Sequence, residues 1–123
     1  MTDVARRVIV PVGMAPSPNP LSAGIVSGKL LFVSGQTAAT VEGIEKQTRA
    51  VLERVGAVLE AAGTDHAHVL RCNIYLKDIS DFAKMNGVYR EFFPSEPPAR
   101  STISCVLADP RILVEIDAVA EVP

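Results

Sequence analysis

A chain of 123 residues with 48% hydrophobic and 21% charged side chains has the composition of one ordinary globular domain, taken here as residues 1–123, and excludes a disordered, collagen-like or disulfide-framework protein. Twelve basic residues against fourteen acidic ones give a formal net charge of −2, and with Arg6-Arg7 as the single adjacent basic pair no basic stripe can displace counterions from a nucleic acid. Four Phe, two Tyr and no Trp offer no base-stacking platform, and the apolar run near the amino terminus is too short for a secretory core or a membrane span, so the chain is expected to be cytoplasmic, with neither nucleic acid nor membrane as partner.

Arg7 to Val10 reads as a short strand ended by Pro11, and Gly13 to Pro20 as an irregular loop. Gly24–Ser27 and Leu30–Ser34 flank Gly28-Lys29, the signature of a hairpin whose glycine takes a positive φ. From Ile44 to Ala62 apolar residues recur at helical spacing, Glu45 stands four residues before Arg49, and Gly63 follows as a left-handed cap. Leu70, Cys72, Ile74 and Leu76 alternate with Arg71, Asn73, Tyr75 and Lys77, a strand with one buried face. A second helix begins near Asp78 or Ser80, carries Phe82, Met85, Tyr89 and Phe92, and stops at Pro94. Ala99–Leu107 and Ile112–Ala120 complete the strands across the turn at Asp109-Pro110.

This order predicts an α+β fold in which two helices pack on one face of a single mixed β-sheet. The opposite face is expected to carry Ser34 or Phe32, Arg100 with Thr102, and Glu115 with Asp117, a mixture that suits a subunit interface holding sites. Arg100 follows Pro97-Pro98-Ala99 and shares a face with Thr102 and Ser104; its planar fork of donors matches a carboxylate. Glu115 and Asp117 project together from their strand about 7 Å apart, and a carboxylate there can orient or deprotonate water. From position alone, solvent-facing charges are the commoner reading of both pairs. His66 and His68 lack a third ligand at recognisable spacing and read as a solvated loop, so no metal is expected. Cys72 and Cys105 lack redox or zinc spacing and read as small apolar residues.

Five strings occur in order across nearly the whole chain: Leu31-Phe32-Val33-Ser34-Gly35-Gln36, Gln47-Thr48-Arg49-Ala50-Val51-Leu52, Val58-Leu59-Glu60-Ala61-Ala62-Gly63, Asn86-Gly87-Val88-Tyr89-Arg90-Glu91-Phe92-Phe93, and Pro98-Ala99-Arg100-Ser101 with Val114-Glu115-Ile116-Asp117-Ala118-Val119-Ala120. Together they resemble the Rid family of YjgF-like reactive-intermediate deaminases. The resemblance implies a chorismate-mutase-like fold, a homotrimer with sites at subunit interfaces, and cofactor-independent hydrolysis of small 2-imino or enamino acids, of the 2-aminoacrylate or 2-iminobutanoate type, to 2-oxo acid and ammonia. It further implies that Arg100 grips the carboxylate of a small anionic metabolite, that Glu115 positions the attacking water, and that Ser34, Gly35, Asn86, Thr102 and Leu21 line the pocket.

Three departures from the family pattern bear on the substrate. Thr102 stands where archetypal members carry Cys, Leu21 after Asn19-Pro20 stands where they carry a pocket Tyr, and the segment Thr37–Gly43 is shorter. A larger enamine such as 2-aminomuconate, or a non-catalytic carboxylate-binding or regulatory role, are therefore the competing readings. An endoribonuclease label carried by some relatives fits poorly with the acidic charge balance.

Overall fold

The computed structural model describes residues 5–123. Six strands form one sheet: β1 (Arg7–Ile9), β2 (Gly24–Ser27), β3 (Leu30–Gln36), β4 (Val69–Leu76), β5 (Ala99–Ser104) and β6 (Val114–Glu121). Their order is β1-β2-β3-β6-β4-β5. Every pairing is antiparallel except β4 with β5. The helices are α1 (Ile44–Ala61), between β3 and β4, and α2 (Phe82–Phe92), which makes the crossover that the parallel pair β4–β5 requires.

The sheet is mixed and both helices lie on one face, as the element order predicts. That face is apolar by alternation: Val114, Ile116, Ala118 and Ala120 of β6 are buried while Glu115, Asp117 and Val119 between them are half-buried. Leu31 and Val33 of β3 and Cys72, Ile74 and Leu76 of β4 extend the buried row, and α1 covers it with Val51, Leu52, Val55, Val58 and Leu59. Fully burying each Val, Leu or Ile among them contributes about 1.5–3 kcal/mol.

One polar residue is sunk into this packing and completely satisfied. Gln47 on α1 is buried; its Nε2 donates to the carbonyls of Val41 and Arg111 at 2.8 and 2.9 Å, and its Oε1 accepts from the Leu113 backbone N–H at 2.9 Å. The amide thereby ties the start of α1 to the loop entering β6. At the other end of α1 Gly63 adopts φ 85°, and Gly28 in the β2–β3 turn adopts φ 60°, the left-handed conformations glycine accepts without steric cost.

Several boundaries and contacts differ from the sequence reading. β5 stops at Ser104 rather than Leu107, and β6 begins at Val114 rather than Ile112. Asp78 caps a 3-10 turn at Ile79–Asp81 by accepting from the Ser80 N–H at 2.9 Å, and α2 starts only at Phe82. Arg49 pairs with Glu91 of α2 at 2.9 Å instead of with Glu45. Leu70 is 46% exposed, not in the core; a register shift between Val69 and Arg71 inserts an extra residue and buries Val69 in its place.

His66 also departs from expectation. It is half-buried against Phe92 and Phe93, at ring-centroid distances of 5.3 and 5.7 Å, and its Nε2 lies 3.0 Å from the Leu52 carbonyl. Gly56 makes the room: a Cβ there would stand 2.6 Å from His66 Cε1.

Candidate active site

The largest correction concerns the face on which Arg100 lies. Arg100 is in register with Cys72 and Thr102 with Ile74 across the parallel β4–β5 pair, so both project to the helix-covered side, not the open side. There the Arg100 guanidinium stacks over two aromatic rings of α2, with Cζ 4.9 Å from the Tyr89 centroid and 5.4 Å from that of Phe82. This is cation–π distance, and it holds the head group without a counter-charge.

A cleft of about 200 Å³ lies beside it, lined by Asn86, Tyr89, Arg90, Phe93, Pro97 and Arg100. Asn86 Oδ1 and Thr102 Oγ1 are buried and have no hydrogen-bond partner, and the buried Tyr89 hydroxyl has only the weakly hydrogen-bonding Cys72 thiol beside it. Two of these residues, Asn86 and Tyr89, share the cleft with Arg100, a contrast with buried Gln47, which is saturated. Each unmet group costs about 1–3 kcal/mol, a cost that a polar ligand would relieve. Burial pushes the Tyr89 phenol far above its ordinary value, so it stays a neutral donor. Burial likewise pushes the Cys72 thiol to about 11, which leaves it protonated and not nucleophilic.

Glu115 lies on the other side of the sheet. It pairs with Tyr75, and Asp117 with Asn73, on the face the helices leave open. Asp117 is engaged: it accepts from Asn73 Nδ2 at 2.9 Å and from the Tyr75 hydroxyl at 3.0 Å. No hydrogen bond to another described residue occupies the Glu115 side chain, and burial, with Asp117 nearby, raises its carboxyl above the usual glutamate value. The carboxylate rests directly on Gly35, where an added Cβ would stand 2.9 Å from Glu115 Cδ. Gly35 therefore serves as the floor beneath the acid. Ser34 beside it donates to the Ser22 carbonyl at 2.5 Å, so its hydroxyl braces the strand entrance, and Leu21 is exposed at the rim of a different cavity that also includes Gly35.

The expected site residues thus fall into two groups within one chain. Arg100, Thr102 and Asn86 converge on the helix side of the edge strand; Glu115 and Gly35 lie on the open side, with Ser34 and Leu21 near them. β5 and β6 are separated by β4, so the two groups are on the order of 10 Å apart even before the change of face, beyond the reach of one small molecule. Tyr89, which lines the cleft, and Phe82, which packs on Arg100, read from the sequence only as the apolar stripe of a helix. The available signal was Asn86 itself, an amide in the apolar stripe Phe82, Asn86, Tyr89, Phe93. Among the described residues no three His, Cys, Asp or Glu side chains converge on a metal-sized space, and no helix is long and apolar enough to cross a membrane.

Comparison with known proteins points to one group. The family model described as Endoribonuclease L-PSP matches residues 13–122. A RutC family protein of Pyrococcus horikoshii is 44% identical over 114 residues, covering 86% of this chain and 90% of the relative. Protein DfrA of Myxococcus xanthus is 43% identical, covering 97% of this chain and 91% of its own. Among solved structures, a Rid-family protein of Yersinia pestis superposes with a TM-score of 0.90 at 33% identity over 96% of this chain and all of its own. A YjgF-family protein of Neisseria meningitidis gives a TM-score of 0.87 at 33% identity over 98% of this chain and 97% of its own.

Proposed function

The chain belongs to the Endoribonuclease L-PSP family, the group that includes the YjgF, Rid and RutC proteins, and from that premise we propose that it is a cofactor-independent hydrolase that deaminates small 2-imino and enamino acids. The observation that carries the reading is the cleft in which the unpartnered Asn86 Oδ1 and the Tyr89 hydroxyl line the space beside the guanidinium of Arg100, with Thr102 Oγ1 unpartnered on the same strand face. Arg100 takes the substrate carboxylate in a bidentate ion pair. The two hydroxyls donate to the same anion, and Asn86 Oδ1 accepts from the iminium N–H.

The chemistry needs little more than orientation. The iminium carbon is already electrophilic, so a water held by Glu115 attacks it while the carboxylate takes the proton. Glu115 returns that proton to the nitrogen, then takes the carbinol hydroxyl proton as the C=O bond forms and the C–N bond breaks with its electron pair on nitrogen; the ammonia released picks up that proton from Glu115 and leaves as ammonium with the 2-oxo acid. An enamine enters the same route after protonation at carbon. The raised carboxyl of Glu115 brings it nearer the pKa of an efficient proton carrier.

Since Arg100 and Glu115 face opposite sides of one sheet, the reading requires that they come from two copies of the chain, assembled as a homotrimer with sites between subunits. The open face supports such assembly. Val8, Ile25, Phe32 and Val119 stand in register across β1, β2, β3 and β6, and Val8 and Phe32 are 57% and 46% exposed, an apolar row suited to burial against another copy.

The test generates 2-aminoacrylate or 2-iminobutanoate in situ and follows loss of the imine. Wild-type protein should accelerate it over buffer and Arg100→Ala should not. Loss at the buffer rate with folded, oligomeric protein overturns the proposal. Calorimetric binding of the matching 2-oxo acid without turnover identifies a carboxylate-binding module instead.

A further inference from the structure

The cleft beside Arg100 is lined by a second guanidinium to which the deaminase mechanism gives no task. Arg90 stands four residues after Asn86 on α2 and lines the same space; residues at that spacing share one helix face, with Cβ atoms about 5–6 Å apart. Arg90 is exposed and Arg100 half-buried, and among the described residues neither takes part in an ion pair. In a chain of net charge −2, two uncompensated guanidiniums on one space of about 200 Å³ form a local anion site. Pockets for drug-sized ligands run to ~300–1,000 Å³, so the occupant is small.

Charge and proton count select that occupant. A protonated imino acid carries an iminium beside its carboxylate, so it leaves the second guanidinium unmatched. A tetrahedral dianion matches both, since its oxygens present a separate edge to each planar fork. Asn86 Oδ1, buried and without a partner, lines the same cleft and can only accept, so the anion must also present a hydroxyl. Hydrogen phosphate has both properties: oxygens for the two guanidiniums and the neutral Tyr89 hydroxyl, and one P–OH for Asn86. Sulfate has the size and the charge but no proton, and the dianion of a phosphate monoester lacks the proton too. We propose that this cleft is a site for free hydrogen phosphate, which takes the place of the substrate carboxylate and restrains turnover by competition. The binding stands on the cleft alone, whereas the competition rests on the deaminase reading.

Calorimetry of the full chain at pH 8 with inorganic phosphate, sulfate and methyl phosphate tests the binding. Phosphate should bind about tenfold tighter than either other anion, the scale of one buried acceptor satisfied or left unmet. Arg90→Met should weaken phosphate by about ten- to a hundredfold, the scale of a charged hydrogen bond, and Asn86→Leu should bring the three anions level. No binding at millimolar phosphate, equal binding of the three anions by the wild type, or an affinity unchanged in Arg90→Met overturns the proposal. In parallel, phosphate should raise KM for 2-iminobutanoate with kcat unchanged; binding that leaves KM unmoved overturns the competition. Selective phosphate binding by a protein that hydrolyses no imine supports the site and counts against the deaminase reading alone.

Discussion

Arg100 is held by aromatic faces rather than by a carboxylate, and that choice leaves its whole charge for a ligand. Contact with the faces of Tyr89 and Phe82 holds the guanidinium in place without neutralising it, which an ion pair would do. Arg100→Lys keeps the charge but loses the fork and the stacking. The account predicts a fall in kcat/KM of roughly ten- to a hundredfold, the scale of a charged hydrogen-bonded contact, measured on 2-iminobutanoate with circular dichroism unchanged. Glu115 gives a second prediction at this scale. Its carboxyl is raised by burial and by Asp117, so the folded chain holds that proton more tightly than the unfolded chain does. Ionisation therefore lowers stability as pH rises from the ordinary glutamate value, near ~4.3, through the raised one. Glu115→Gln should melt higher than the parent at pH 7 and equal it near pH 4, while turnover is lost at both. The acid limb of wild-type kcat/KM should accordingly lie above the ordinary glutamate range. Equal melting of variant and parent at pH 7 would show that the buried charge carries no cost.

The elements show why some of the architecture was legible from residue order and some was not. α1 was readable because its apolar positions recur over 18 residues with a glycine after the last, and β4 and β6 because each alternates against a shared core. β5 was misread because an edge strand has little core to alternate against: its largest apolar residue, Ile103, is 52% exposed, while Arg100 and Thr102 turn inward under the aromatic end of α2. Alternation gave the correct partners for Arg100 but no reference for which side was inside. Leu70 failed for a different reason, since one inserted residue at a bulge reverses the face of everything before it. The notch at Gly56 was invisible because its meaning depends on His66, ten positions away. Placed in isolation, Gly56→Ala would stabilise a helix by about 1 kcal/mol. Here the new methyl meets the His66 ring, so Gly56→Ala should destabilise by about 1–3 kcal/mol, whereas in a His66→Ala background the same change should be stabilising. Chemical denaturation of the four proteins in that cycle measures the sign reversal; the same sign in both backgrounds would remove the steric explanation.

At the scale of the molecule, the sheet is covered on one side only, and its open face carries both an apolar row and Glu115, the acid to which the proposed reaction assigns the water. In the proposed assembly, burying that row against another copy covers the apolar residues and brings Glu115 towards a foreign edge strand. Phe32→Asp places a charge in the middle of the row. It should yield monomers by analytical ultracentrifugation, with secondary structure retained and imine turnover lost; a variant that is as oligomeric and active as the parent would remove this face from the assembly.

The central claim is that Arg100 of one copy and Glu115 of another act on the same substrate. Co-expression or co-refolding of Arg100→Ala with Glu115→Gln, each inactive alone, tests it most directly. In a randomly mixed closed ring about one site in four pairs an intact arginine with an intact glutamate, so the mixture should recover roughly a quarter of wild-type turnover. A mixture whose mixed oligomers are verified by mass spectrometry and that stays inactive would contradict the account.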